Sequence, residues 1–197
     1  MIRSDVAELH YITPIANVPS ILQHGILCKN GASQLNPVSI AMVAIQQVRA
    51  SKTVPGGLAI HAYANLYFCA RNPMMYVRSA KHAQLCVLRV DNSVLDLKDV
   101  VIADGNAASK YTAFWPSPMG LAKVHGPWVF ADDWTDADRI TMWQKKSAKC
   151  AEVLVPTAVP ANKIIGAYVS CSGSQQALIA VGFSKGITID PHLFFRA

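Results

Sequence analysis

Apolar and polar side chains alternate through Val6-Ala7-Glu8-Leu9-His10-Tyr11-Ile12-Thr13, and that period of two predicts a strand over residues 6–13. The pattern then changes. Asn17 is placed to cap a helix, Pro19 fits a first turn, Ile21, Leu22 and Ile26 fall on one face, and Gly25 supplies a stop. A second helical pattern over 38–51 ends before Val54-Pro55-Gly56-Gly57, which breaks any regular element. Strand-like runs follow at Leu66–Ala70, Gln84–Val90 and Val100–Ala103. A helix is then expected over Asp136–Lys149, with a basic end suited to its dipole. Cys150–Val155 and Ile164–Cys171 read as strands, Ser174–Gly182 as a helix and Ile187–Asp190 as a short last strand. Helices and strands are interspersed, with neither a repeat nor a Ser/Gly-rich linker, so one α+β domain over residues 1–197 is expected.

Composition narrows the class. A chain of 197 residues buries roughly 70% of its unfolded surface. Its 52% apolar and 15% charged residues suit a packed core and argue against disorder. Met1-Ile2-Arg3-Ser4-Asp5 does not open as a charged-then-apolar leader, and no apolar run reaches about 18 residues, so neither a signal peptide nor a membrane span is expected. The five cysteines (Cys28, Cys69, Cys86, Cys150, Cys171) are odd in number, and no pair is spaced C-x-x-C. Reduced thiols in a cytoplasmic protein are expected, with no zinc cluster and no metal. The net charge of +6 permits a polyanionic partner, although the one tight basic cluster is Lys145, Lys146 and Lys149.

Several residues carry candidate chemistry. On the first strand Tyr11 and Thr13 share a face and His10 points the other way. Arg49, near the end of the second helix, has the guanidinium geometry to clamp a pyrophosphate, and Lys52 competes for that role. Tyr67 and Arg71 stand in Tyr67-Phe68-Cys69-Ala70-Arg71-Asn72-Pro73, which by pattern alone is a Pro-terminated strand and turn. Glu152 is a lone acid on an otherwise apolar strand, Cys150-Ala151-Glu152-Val153-Leu154-Val155. Trp134 and Trp143 can stack bases while Lys145, Lys146 and Lys149 hold phosphates, or the tryptophans pack a helix and the lysines are solvated.

Taken in order, Leu9-His10-Tyr11-Ile12-Thr13 with Asn17 and Ile21-Leu22, Pro55-Gly56-Gly57, Tyr67-Phe68 with Arg71-x-Pro73-Met74-x-Tyr76, Asp104-Gly105-Asn106-Ala107-Ala108-Ser109 and Ala151-Glu152-Val153-Leu154-Val155-Pro156 resemble the DarT family of bacterial DNA ADP-ribosyltransferase toxins over roughly residues 8 to 160. The resemblance implies a split central β-sheet flanked by helices, NAD as co-substrate, single-stranded DNA as acceptor and a macrodomain antitoxin as partner. It implies Glu152 and Arg49 as catalytic residues. His10, Tyr11, Thr13, Asn17, Arg49, Tyr67 and Arg71 would contact NAD, and Trp134, Trp143, Lys145 and Lys146 would contact DNA. Two departures stand out. Counting back from Asn17, Tyr11 falls where the family's His is expected, leaving His10 and Tyr11 as rival NAD contacts. Residues 58–65 also differ from the family's usual run. The altered first strand leans toward guanine over thymine as the target base.

Two other readings compete: a protein or RNA ADP-ribosyltransferase of the same fold, and a non-catalytic nucleic-acid-binding module. The RNA 2′-phosphate transferases that share the first-strand pattern usually lack a catalytic Glu, so Glu152 counts against them. The binding module has no reason to keep the glutamate strand.

Overall fold

A computed structural model of the chain describes residues 1–196. In chain order it contains β1 (Glu8–Pro14), α1 (Val18–His24), β2 (Ile26–Leu27), α2 (Lys29–Ala32), α3 (Val43–Ala50), β3 (Tyr63–Tyr67), α4 (Pro73–Arg78), β4 (Leu85–Asp91), β5 (Val101–Ala103), β6 (Phe114–Pro116), α5 (Gly126–Val129), α6 (Arg139–Ala148), β7 (Glu152–Pro156), β8 (Ala158–Val159), β9 (Ile164–Val169), α7 (Ser172–Ala180) and β10 (Gly186–Ile189). Eight strands form one sheet in the order β10-β9-β4-β1-β3-β7-β5-β6, and β2 pairs with β8 separately. Every neighbouring pair in the large sheet is antiparallel except β9 with β10.

The centre of that sheet is nearly cut in two. β1 pairs with β4 along its whole length, from Glu8↔Asp91 to Pro14↔Leu85, and β3 pairs with β7 from Tyr63↔Pro156 to Tyr67↔Glu152. Between them, β1 and β3 share the single register pair His10↔Tyr67. Beyond it the two strands part, and the gap opens between the Pro14 end of β1 and the Tyr63 end of β3. The split expected from the sequence is therefore present as one pinned residue pair inside a continuous hydrogen-bond ladder.

The closed end of the split is held by polar side chains. Glu8 accepts hydrogen bonds from Arg89 Nε (2.7 Å) and the Tyr168 hydroxyl (2.9 Å), and His10 Nε2 lies 3.1 Å from Glu8 Oε1. These groups link β1, β4 and β9. The main core packs Leu9, Val18, Leu66, Leu88, Val153 and Leu178 together. Smaller clusters gather round Ile12, Met75 and Phe194, and round Val54, Ile60 and Leu154.

Most predicted elements appear with shifted ends, and the shifts have local causes. Helix α3 begins only at Val43, because residues 38–42 form no regular element, with a bend at Ala41 and an extended Met42. Asp138 caps α6, its carboxylate accepting from the Thr141 N–H at 2.8 Å, so that helix starts at Arg139. The strand expected at 66–70 lies at 63–67. Pro73 opens α4 rather than terminating a strand, since the Asn72 side chain accepts from the Met75 N–H and caps a helix there.

Gly25 ends α1 with φ 79° and ψ −177°, a region that only glycine occupies freely. A Cβ there would also stand 2.3 Å from the Val159 carbonyl oxygen of β8. Gly25→Ala is expected to destabilise the fold by about 2–3 kcal/mol, read as a lowered urea midpoint. A second expectation concerns acid. Burial opposes ionisation of Glu8, but its bonds to His10, Arg89 and Tyr168 prevail and lower its pKa from 4.5 to about 2. A depressed folded-state value means that this stabilisation is full above 4.5 and is lost as pH falls toward about 2. Urea midpoints measured across that window should fall for the unaltered chain and fall less for Glu8→Gln.

Candidate active site

Glu152 opens β7 because the chain turns tightly out of α6, where the Ala151 N–H still donates to the Ala148 carbonyl. Its side chain is 1% exposed. Three donors satisfy it. Arg49 Nη1 reaches Oε1 at 3.0 Å, Arg49 Nη2 reaches Oε2 at 2.9 Å, and the Ala107 N–H reaches Oε1 at 3.0 Å. The guanidinium thus grips the carboxylate bidentately, the strongest geometry for such a pair. Burial works against the charged Arg49, yet the adjoining Glu152 carboxylate prevails and raises its pKa. Lys52 does not reach the carboxylate. Its Nζ donates to the Ala107 and Ser109 carbonyls at 2.9 and 2.5 Å and fastens the loop that brings Ala107 onto Glu152. Of the two rival cations, Arg49 therefore holds the acid and Lys52 holds the loop.

Above this pair lies a cleft of about 530 Å³, in the size range of small-molecule sites. One wall is the free end of β1, with Tyr11, Ile12 and Thr13, and the facing wall is β3, with Tyr63, Asn65 and Tyr67. Residues 37–42 close it on the outside, and Met74 and Arg78 of α4 complete the rim. Arg49 lines the cleft and Glu152 lies beneath it. Glu152 itself is not part of the lining, but its guanidinium partner is, and so is Tyr67, its register partner across β3 and β7. The Tyr67 hydroxyl donates to Met74 Sδ at 3.5 Å, and burial, with Glu152 close by, pushes its pKa well up, so the phenol stays protonated. Cys150 also lines the cleft, but burial pushes its thiol up to about 12, which leaves it inert as a nucleophile. All five cysteines are free.

Four residues that the sequence did not single out share this wall: Lys29, His61, Asn65 and Asn106. His61 has a ring nitrogen, Nε2, that is buried without a hydrogen-bond partner. Burial, then Arg49 and Lys29, lower its pKa and keep the imidazole neutral. A buried polar atom left unpaired is costly in a folded protein and often marks a functional position. No sequence pattern distinguished His61 from a surface histidine.

Other expected site residues sit elsewhere. His10 does not line the cleft. Its ring is engaged with Glu8 and with the Phe68 carbonyl (Nδ1, 3.2 Å), so of the two rivals only Tyr11 faces the cavity. Asn17 lines the cleft, but both ends of its amide are spent on the backbone of Val38. Arg71 is a structural bracket. It donates to the Asp132 and His192 carbonyls and stacks 4.0 Å from the Phe195 ring, away from the cleft. Trp134 packs edge-on against Tyr76 and Phe195 at 5.7 and 6.0 Å. Lys145 is paired with Asp136 at 2.7 Å. Lys149 is fully buried and bonds the Val129 and Ala131 carbonyls, so it holds no phosphate. Lys146 is exposed and lines the cleft, and Trp143 is 45% exposed beside Tyr111. Among the described residues no group of three His, Cys, Asp or Glu side chains is placed to hold a metal ion, and no helix is long and apolar enough to cross a membrane.

This arrangement has known counterparts. Residues 10–195 match the family described as "ssDNA thymidine ADP-ribosyltransferase, DarT". A DNA ADP-ribosyl transferase–DNA ADP-ribosyl glycohydrolase fusion protein of Thermosipho africanus is 32% identical over 196 residues, which is 95% of this chain and 49% of that protein. A DNA ADP-ribosyl transferase of Thermus sp. strain 2.9 is 28% identical over 77% of this chain and 76% of its own. The solved structure of T. africanus DarTG in complex with ADP-ribose superposes with a TM-score of 0.84 at 31% identity, over 96% of this chain and 51% of that one. Thermus sp. 2.9 DarT in complex with ADP-ribosylated ssDNA superposes equally well, TM-score 0.84, over 98% of both chains at 21% identity. The chain spans about half the length of the Thermosipho proteins it matches. With the family matched along nearly its whole length, the chain belongs to the DarT family.

Proposed function

We propose that this chain transfers ADP-ribose from NAD to a base in single-stranded DNA, as the toxin of a pair whose partner removes the modification. The observation that carries this reading is the buried Arg49–Glu152 pair under a cleft walled by Tyr11, Thr13 and Tyr67. The named activities of the Thermosipho and Thermus relatives support it, and the fusion of transferase to glycohydrolase in Thermosipho supports a macrodomain partner.

The cleft suits NAD on its own chemistry. A pyrophosphate needs cations, and Lys29, Arg49 and Lys146 line the cavity. Two flat rings need apolar walls, and Ile12, Ile40, Met42, Ile45 and Met74 provide them. Sugar and amide groups need partners, and Tyr11, Thr13, Tyr67 and the unpaired His61 Nε2 offer them.

NAD supplies a ribose–nicotinamide bond whose rupture puts positive charge on the sugar, as in glycoside cleavage. Glu152 is the fixed anion that steadies this charge. Oε1 is committed to Arg49 and Ala107, whereas Oε2 holds one bond to Arg49 and keeps an acceptor position. Arg49 holds the carboxylate oriented until substrate arrives, and then shares its donors with the incoming base. That base must give up a proton as the new bond forms, and Glu152 is the acceptor beside it. Trp143 and Lys146, at the rim, are the side chains best placed to take a flanking base and a phosphate. For the reacting base we expect thymine, the base in the description of the matching family, and nothing round Tyr11 speaks for guanine.

Two measurements test this. Glu152→Gln removes the charge and leaves Arg49 one acceptor, so transfer from labelled NAD should fall at least ~100-fold, and melting should come earlier, because one Arg49 N–H then faces an amide NH2 and the buried guanidinium loses its counter-charge. Glu152→Ala, which leaves the guanidinium with no acceptor there, should melt earlier still, the loss being about 3–5 kcal/mol. Wild-type transfer by the Gln variant would remove Glu152 from the mechanism. The second measurement offers NAD with oligonucleotides biased to each of the four bases, single-stranded and in duplex, and with RNA. An added ADP-ribose mass is expected on thymine-bearing single strands and much more slowly on duplex, where the base must first leave the stack. Labelling confined to RNA or to protein would replace the DNA reading.

A further inference from the structure

The outer wall of the cleft is a stretch of backbone without a regular element of its own. Residues 36–42 leave the 3-10 turn Ser33–Leu35 through Asn36, whose backbone is left-handed (φ 49°), and form no regular element, bending at Ala41 before the extended Met42 leads into α3 at Val43. Six of them, Pro37 to Met42, line the cavity. Outwardly they pack on little: Val38 is 56% exposed and Met42 is 51% exposed. A second hollow of about 190 Å³ lies against the same stretch, sharing Asn17, Pro37 and Val38 with the main cleft.

Two side chains hold this stretch in place. Asn17, just beyond β1, donates from Nδ2 to the Val38 carbonyl and accepts at Oδ1 from the Val38 N–H, both at 2.9 Å. Its amide thus pairs with Val38 as a neighbouring strand would. Arg78, at the end of α4, donates from Nε to the Ile40 carbonyl at 2.7 Å. The strap is therefore tied at Val38 to the segment after β1 and at Ile40 to α4, and these three hydrogen bonds add to the packing of the Ile40 side chain against the cluster round Ile12, Met75 and Phe194.

We propose that Asn17 and Arg78 are the two moorings of this strap. They are positioning residues that set how firmly a bound dinucleotide is retained, without touching the reacting atoms. The proposal rests on the NAD reading of the cleft. Retention depends on the strap as a unit, since freeing either end lets the wall swing from the ligand. Arg49, in the lining, and Glu152, beneath it, are held by each other and by the Ala107 N–H, none of which belongs to the strap, so loosening the strap leaves them in place.

The test uses Asn17→Ala, Arg78→Met and the double variant of the full chain. Without NAD, amide exchange of the peptide spanning 36–42 should quicken in each single variant. With NAD and a single-stranded oligonucleotide, KM for NAD should rise about 3–10-fold in each, with kcat within about twofold. The double variant should sit within about twofold of the worse single, because both changes release one strap. If Asn17→Ala fails to fold, Asn17→Asp serves: it keeps an acceptor for the Val38 N–H but sets an oxygen against the Val38 carbonyl. Unchanged exchange in the single variants overturns the moorings. KM effects that multiply in the double variant also overturn them, because each side chain would then be meeting the ligand by itself. A chain that consumes no NAD with any acceptor overturns the functional reading instead, and the exchange rates still decide the moorings.

Discussion

A carboxylate taken wholly out of water has to be answered in kind, and at Glu152 the answer organises the molecule. Arg49 lies 103 residues away in the chain and Ala107 lies 45 away, yet both converge on the same two oxygens. Removing two charges from solvent costs several kcal/mol, roughly, for each ion, and only good geometry with every strong acceptor satisfied offsets it. The bidentate guanidinium and the backbone N–H meet that requirement. Their consequence is positional: the last turn of α3, the start of β7 and the 104–109 loop cannot move independently. Lys52 extends the same lock by holding the carbonyls of Ala107 and Ser109.

With the floor fixed in this way, the sheet can be open above it. β1 and β3 meet at His10↔Tyr67 alone, and each depends on its other neighbour for ladder bonds, β4 for β1 and β7 for β3. The closed end is secured from both sides. His10 contacts Glu8 on its own strand and the Phe68 carbonyl just past β3, while Arg89 and Tyr168 draw β4 and β9 onto Glu8. His10, the rival of Tyr11 for the cleft, is thus used to stop the split from running further. Tyr11, one residue on and past the pinned pair, lines the cleft together with Ile12 and Thr13.

What the sequence discloses about this fold is local, and what it withholds is long-range. The alternation of β1, the helix expected at Asp136–Lys149, the Gly25 stop and the late glutamate strand all follow from neighbours within a few residues, and all are present with ends shifted by no more than three positions. The importance of Glu152 came from family likeness, not from its spacing, because a lone strand acid is ordinarily a solvated one. That Arg49 and not Lys52 would close on it depends on a contact across 103 residues, which no periodicity encodes. Asn17 carries a similar lesson. A capping residue bonds helix N–H groups, yet in the folded chain the Asn17 side chain makes no cap bond and its amide reads the backbone of Val38 instead.

Charge shows the same limit from another side. A net charge of +6 invites the idea of a basic face for nucleic acid, and the run Lys145, Lys146, Lys149 looks like its centre. On the helix and the turn after it, those three lysines have three fates. Lys149 is swallowed to bind the carbonyls of Val129 and Ala131, Lys145 answers Asp136, and Lys146 alone reaches the cleft. Arg71 and Lys52 are likewise spent on carbonyl groups. The positive groups at the cavity, Lys29, Arg49, Arg78 and Lys146, come from four separate helices. They are few, an arrangement that on the proposed reading suits one pyrophosphate and the nucleotide beside it rather than a long polyanionic track. If the proposed function holds, selectivity for a particular base falls to the neutral lining, to Tyr11, His61, Asn65 and Asn106, because so few charges can read little but phosphate.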